Sequence, residues 1–208
     1  PQDGKLSFLR ASVGLFNGTG VNANEFDNFK DVIAHVTAQI PFEEANAEID
    51  LGVSGYFGNV RNNTKFLFQN GQPFVGEKGF AVDSSLANVG DGVTRRYLGA
   101  DAQFYYDIPY IGGAILRGEY IAGVQPGTTT TTVSPPVQPT TALYKRDFAG
   151  WYIYYIQNIG GNEQVVMKYD VYDPNTNVEA PDFAPNSNLT LADIKYSTLG
   201  FGFIHHWD

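Results

Sequence analysis

The chain contains no cysteine, which excludes disulfide scaffolds, thiol nucleophiles and thiolate metal sites. Cations are scarce: 13 Lys and Arg stand against 22 Asp and Glu, for a formal net charge of -9 and a pI near 4.7. That balance excludes a nucleic-acid partner, because phosphate backbones are held by clustered Lys and Arg. Only three histidines occur (His35, His205 and His206), and neither a nucleophile motif nor a phosphate-cradling glycine loop accompanies them. Catalysis is therefore not expected. No run reaches the ~18–20 apolar residues of a membrane helix. This leaves a β-barrel open, since a spanning strand needs only about 9–11 residues with an apolar side chain at every second position.

What the chain does have is Tyr 13, Phe 15 and Gly 23 against a single Met, a composition suited to pleated sheet. Alternation with a period of two recurs along its length. Leu9, Ala11, Val13 and Leu15 alternate with Arg10, Ser12 and Gly14 in residues 5–16. Val32, Ala34, Val36, Ala38 and Ile40 alternate with Ile33, His35, Thr37 and Gln39. Ile49, Leu51, Val53, Gly55 and Phe57 oppose Glu48, Asp50, Gly52 and Ser54, and Leu98, Ala100, Ala102, Phe104 and Tyr106 oppose Gly99, Asp101 and Gln103. Further on, Leu116, Tyr120, Ala122 and Val124 oppose Arg117 and Glu119; Val165, Met167, Tyr169 and Val171 oppose Lys168 and Asp170; and Leu199, Phe201 and Phe203 oppose Thr198, Gly200 and Gly202. Residues 148–156 are apolar on both faces, so their orientation is not legible. About eight strands are expected.

The connections alternate as well. Residues 41–46, 107–112 and 157–163 form short turns, whereas 17–30, 58–95, 125–147 and 173–193 are long and rich in Gly, Asn, Asp, Pro and Thr. One rim of short turns and one of long loops is the habit of an outer-membrane barrel, and a soluble sandwich has no reason to keep it. The expected fold is thus all-β: an antiparallel transmembrane β-barrel occupying residues 1–208 as one domain. The Thr128–Thr132 tract before Pro135 and Pro136 reads as a solvated loop. Phe66, Leu67 and Phe68, inside the longest loop, read either as a segment folded inward or as an extra hairpin. A soluble β-sandwich binding module is the competing architecture.

In a barrel the apolar faces meet outer-membrane lipid and the polar faces line the lumen. The lumen candidates are Arg10, His35, Gln39, Glu48, Asp50, Asp101, Gln103, Arg117, Glu119, Lys168 and Asp170. Glu48 and Asp50 share a face two residues apart, but nothing around them suggests a sugar-cleaving cleft. Opposite charges across a lumen would set a transverse field acting on small hydrophilic solutes. Asp173, Asn175, Asn177 and Glu179 place oxygen ligands at every second position, a spacing that suggests a calcium loop, although the central Gly and the distant Glu of an EF-hand are missing.

Three stretches carry a resemblance: LRASVGLFNGTGVN at Leu9 to Asn22, VVMKYDVYDPNT at Val165 to Thr176, and the closing STLGFGFIHHWD. They are similar to the phosphate-selective porins of Gram-negative outer membranes, particularly those of Bacteroidota. The resemblance implies a barrel of about sixteen strands, usually a homotrimer, that passes small solutes passively without a cofactor. About eight strands would be half of such a barrel, so a partial chain is expected. Three basic candidates (Arg10, Arg117, Lys168) against five acidic ones (Glu48, Asp50, Asp101, Glu119, Asp170) make no ladder for anions. The alternative is a non-conducting outer-membrane barrel, alone or in a membrane complex, that works through its long loops.

Overall fold

A computed structural model describes residues 8–19, 24–74, 76–133, 135, 137–185 and 187–207. Each alternating segment becomes a strand: β1 (Leu9–Asn17), β2 (Lys30–Phe42), β3 (Ala47–Arg61), β6 (Gly92–Ile108), β7 (Gly112–Gly127), β8 (Leu143–Ile159), β9 (Glu163–Asp173) and β10 (Tyr196–His205). Between β3 and β6 lie two short strands, β4 (Phe66–Gly71) and β5 (Gly79–Ser84). The first strand was expected from Lys5: residues 5–7 lie outside those described, and Phe8 is a turn residue whose carbonyl accepts from Gln39 N at 2.8 Å.

The eight long strands form one antiparallel meander, each paired with the next long strand along the chain. Turns at one end are tight. Asn46, at φ 48°, closes the β2–β3 connection in the left-handed region, and Gly112 does the same after β6 at φ 131°. An added Cβ at Gly112 would lie 2.7 Å from the carbonyl oxygen of Asn158, so only glycine fits.

One expectation is corrected. Among the described residues there are ten strands rather than about eight, because the loop at 58–95 contains the β4–β5 hairpin. The meander also does not close on itself: among the described residues β1 pairs only with β2, and β10 only with β9. Strands also run longer than their apolar pattern. β3 reaches Arg61 and β6 begins at Gly92, because the hydrogen-bond ladder continues where Val60 and Val93 turn their side chains into a packed cluster.

That cluster marks where the core sits. Val60, Val93 and Leu143 are buried together, with Phe26 and Leu67 packed against them, all at the long-loop end. The hairpin reaches over the ends of β6 and β7 to pair with β8 in parallel, Leu67 opposite Leu143 and Phe68 opposite Tyr144. Phe68 stacks on Tyr144 with centroids 4.3 Å apart, and Phe80 meets the same ring edge-on at 5.0 Å.

Candidate functional site

Pairing register decides which residues share a face. One face joins Val36, Val53, Ala100, Tyr120, Trp151 and Val171 in a row across six strands. The next row joins Ala38, Leu51, Ala102, Gly118, Ile153, Tyr169 and Leu199. Between the row of Arg96 and Asp147, near the loops, and the short turns, the one charged side chain that this face carries among the described residues is Asp173, which ends β9 in the row of Leu98, Ala122 and Ala149. It is left uncovered: Val13 is 76% exposed, Leu98 57% and Phe201 69%. The ambiguous residues 148–156 are settled by register, since Tyr120 lies opposite Trp151 and puts Trp151, Ile153 and Tyr155 on the apolar face.

The opposite face is polar, and it gathers the predicted lumen residues. One row runs Arg10, Thr37, Gly52, Asp101, Glu119, Tyr152, Asp170, Thr198. The adjacent row, toward the turns, runs Gln39, Asp50, Gln103, Arg117, Tyr154, Lys168. Glu48 follows one row further on, opposite Pro41 and Tyr105. Acidic side chains therefore dominate one row and basic ones the next. Lys168 Nζ lies 2.6 Å from Asp170 Oδ1, and Lys168 and Arg117 both sit over the Tyr154 ring, at 5.5 and 5.1 Å. The imidazole of His35 is 3.3 Å from Asp101 Oδ2. Gly52 makes room for that carboxylate, because a Cβ there would fall 2.1 Å from Asp101 Oδ2. Around these groups lies an open cavity of about 270 Å³, bordered by His35, Ser54, Asp101, Gln103, Arg117, Glu119 and Tyr152. Arg10 stands apart, exposed on the edge strand β1.

The four loop residues expected to bind a cation hold one another and their neighbours by hydrogen bonds, although the side-chain oxygen of buried Asn175 has no hydrogen-bond partner among the described residues. Asn175 is fully buried and donates its amide to Asp193 Oδ1 at 3.1 Å, while its backbone N–H donates to Asp173 Oδ1 at 3.2 Å. Asn177 donates to Asp147 Oδ2 at 2.8 Å, and Glu179 caps the short helix Ala180–Asp182. Their spacing serves turns and caps. Among the described residues no group of three or more His, Asp and Glu side chains is placed to hold a metal.

Sequence reasoning missed the polar locks at the loop end. Arg95 on β6 and Tyr56 on β3 both donate to Asp31 on β2, and Arg95 also donates to the carbonyl of Gly18 at 2.8 Å. Arg146 on β8 is buried, donating to Asp193 Oδ1 at 2.7 Å and to the Thr128 carbonyl at 2.9 Å, with the Phe80 ring 5.1 Å from its guanidinium. Phe80 belongs to the hairpin, so the hairpin lies on the polar-face side of β8. Asn188 fixes it there by accepting from Phe80 N and donating to Phe80 O, at 2.9 and 2.7 Å. The Thr tract is likewise tied in: the Thr129 carbonyl accepts from Thr190 at 2.6 Å, and Thr128, Thr131 and Thr132 are half-buried. The available signal was parity, because Asp31 and Arg146 extend the polar faces of β2 and β8 by one more step.

Comparison with protein-family models, with characterised proteins and with solved structures finds no match to this chain.

Proposed function

We propose that the meander is the wall of an outer-membrane β-barrel of the porin type, which lets small hydrophilic solutes diffuse passively along its polar face. The observation that carries this reading is the uncovered apolar face, continuous in register across the long strands and free of charge from the row of Ala100 and Trp151 to the short turns. In water such a face would be a severe liability, because exposed apolar patches of this extent mark contact with another apolar phase. On β6 the apolar-face positions from Leu98 to Ile108, none of them charged, span about 34 Å of strand, or about 26 Å of bilayer at a ~40° tilt. That matches the ~25 Å apolar band of barrel proteins. The free edges of β1 and β10 would have to be paired in lipid, either by further strands or by a neighbouring chain. The resemblance to phosphate-selective porins agrees with this architecture. The acidic side chains of the polar face argue against a phosphate path.

Detergent-purified, folded protein is expected to give discrete conductance steps in planar bilayers. A silent bilayer would overturn the pore. A second reading, a non-conducting barrel acting through its loops, is favoured by one observation: the hairpin is laid onto the polar-face side of β8 and locked through Arg146 and Asn188. Under that reading, replacing residues 66–84 by a short glycine linker would turn a silent protein into a conducting one.

A further inference from the structure

The cavity at mid-strand on the polar face has walls of both signs. Asp101 and Glu119, opposite each other on β6 and β7, share the space of about 270 Å³ with His35 and Arg117. A bare cation or a bare anion would meet its own charge on one wall, and like charges brought together are costly. What the walls offer is a dense set of hydrogen-bonding groups. The carboxylates accept, the guanidinium donates, and the Gln103 amide and Ser54 hydroxyl do both. Such a set suits hydroxyl groups, which donate and accept at one atom. An aromatic ring completes the lining. Tyr152 on β8 borders the cavity and makes a T-shaped contact with Tyr154, centroids 5.5 Å apart. Arg117 and Lys168 lie over the Tyr154 ring, whereas among the described residues no cation lies over Tyr152. Rings continue on the same face, one row nearer the loops. There Tyr172 on β9 stands diagonal to Tyr152 and opposite Tyr196 on β10, with those two centroids 5.6 Å apart. The same row is completed by Ser54, Gly99, Ile121 and Gly150, so it is low beside the cavity. The Tyr172 ring lies against Gly150, where a Cβ would come within 3.2 Å of it.

We infer that this cavity is a subsite for a neutral sugar, with one pyranose ring inside it and the next toward Tyr172. The hydroxyls would meet Asp101, Glu119, Gln103 and Arg117, and the C–H face of the ring would lie on Tyr152. Hydrogen bonds from hydroxyls to carboxylates, and from a guanidinium to hydroxyls, are stronger than neutral ones. The C–H groups of a pyranose carry partial positive charge, which the negative face of an aromatic ring attracts. A few placed polar groups beside an aromatic surface are the usual make-up of a small-molecule site. As the solute class of a pore the sugar rests on the pore reading; as a binding site on the polar face it does not.

The test has two arms, and the first needs no conductance. Folded protein, in a detergent without a sugar headgroup, is titrated calorimetrically with maltotriose, cellotriose and mannotriose. At least one of them should bind saturably, and neither glycine nor inorganic phosphate should compete with it. Tyr152→Leu should weaken that binding about two- to tenfold, the worth of one aromatic contact, and Tyr152→Phe should keep it. Failure of all three sugars to bind, competition by glycine or phosphate, or equal affinity in Tyr152→Leu and the parent would overturn the subsite. Equal losses in Tyr152→Leu and Tyr152→Phe would overturn the stacking role of the ring. Should Tyr152→Leu not fold, Ser54→Leu fills the cavity from β3 instead, and an unchanged affinity there refutes the subsite. In the second arm, the sugar that binds should interrupt the ion current in planar bilayers, and less so in the weakened variant. A silent bilayer defeats the pore reading and leaves calorimetry to decide the subsite. A steady current from protein that binds no sugar keeps the pore and refutes the subsite. Binding that leaves the current untouched overturns the sugar as the solute of the path.

Discussion

The two ends of the long strands are built for different surroundings. At the loop end, side chains are packed as in a water-soluble protein. Val60, Val93 and Leu143 form a buried cluster, Phe80 is enclosed, and two ion pairs, Asp31–Arg95 and Arg146–Asp193, are shut away from solvent. Through the middle of the same strands there is no such cluster among the described residues, and Leu51, Val53, Leu98 and Leu199 lie bare. A sheet that has to hold itself together in water puts its apolar mass between itself and a cover. Here the cover exists only over the loop end, and it is the hairpin β4–β5 with the loops that grip it. The middle is held by its hydrogen-bond ladders and by whatever apolar phase lies against the bare face. The rim is therefore expected to fail by ordinary unfolding, and the middle by a change of solvent.

The largest effect that would break this contrast is at Arg146. Arg146→Ala leaves Asp193 and Asn175 buried without their cation and removes the platform under Phe80. Stranding one partner of a buried ion pair costs about 3–5 kcal/mol. Amide hydrogen exchange should speed up across residues 66–84 and 173–193, while β2, β3, β6 and β7 keep their protection in detergent. If protection falls equally everywhere, the two ends are one cooperative unit and the contrast is wrong.

The middle was legible in the sequence and the rim was not, for physical reasons. In the middle each residue answers to one of two surroundings, so the period of two survives, and Asp101, Arg117, Glu119, Lys168 and Asp170 could be assigned to one face without a structure. At the rim a residue answers to partners far along the chain. Arg146 meets Asp193 and Phe80, and Asn63 donates to the carbonyl of Pro139. No local pattern announces such pairings. β8 failed for a related reason: the inner aromatic residues Phe148 and Tyr154 are platforms for Tyr97 and for Arg117 and Lys168, so both of its faces look apolar. The oxygen-rich run at 173–179 reads two ways in sequence because Asn and Asp cap turns with the same spacing that binds calcium.

Next in size is a charge on the bare face. Ala102→Arg places a cation near the centre of the apolar band on β6, which costs about 2–4 kcal/mol at the bilayer midplane and little in water. Folding yield into lipid vesicles, compared with the yield of Thr94→Arg beyond the band on the same strand, measures the difference. Equal yields would mean that the bare face never meets lipid.

The finest comparison is one substitution made twice. Gly58 and Gly52 both lie on the polar face of β3, and each leaves space that an aspartate fills. At Gly58 an added Cβ would fall 1.8 Å from Asp31 Oδ1, and at Gly52 it would fall 2.1 Å from Asp101 Oδ2. The clashes are nearly equal, yet the neighbours differ in freedom. Asp31 is fully buried and held by both Arg95 and Tyr56, so it cannot swing aside without breaking the rim lock. Asp101 keeps about a quarter of its side chain in solvent (23%) and has only the 3.3 Å contact to His35 to lose. Gly58→Ala should therefore cost about 1–3 kcal/mol, as overpacking of a closed site does. Gly52→Ala, although Gly52 is itself buried, should cost less than Gly58→Ala, because the atoms it meets are the end of the Asp101 side chain, which is free to swing aside. Denaturant midpoints of the two variants in the same detergent decide the matter. A larger loss at Gly52 than at Gly58 would mean that the polar face is packed in mid-strand as tightly as at the rim, leaving no room there for a solute to pass.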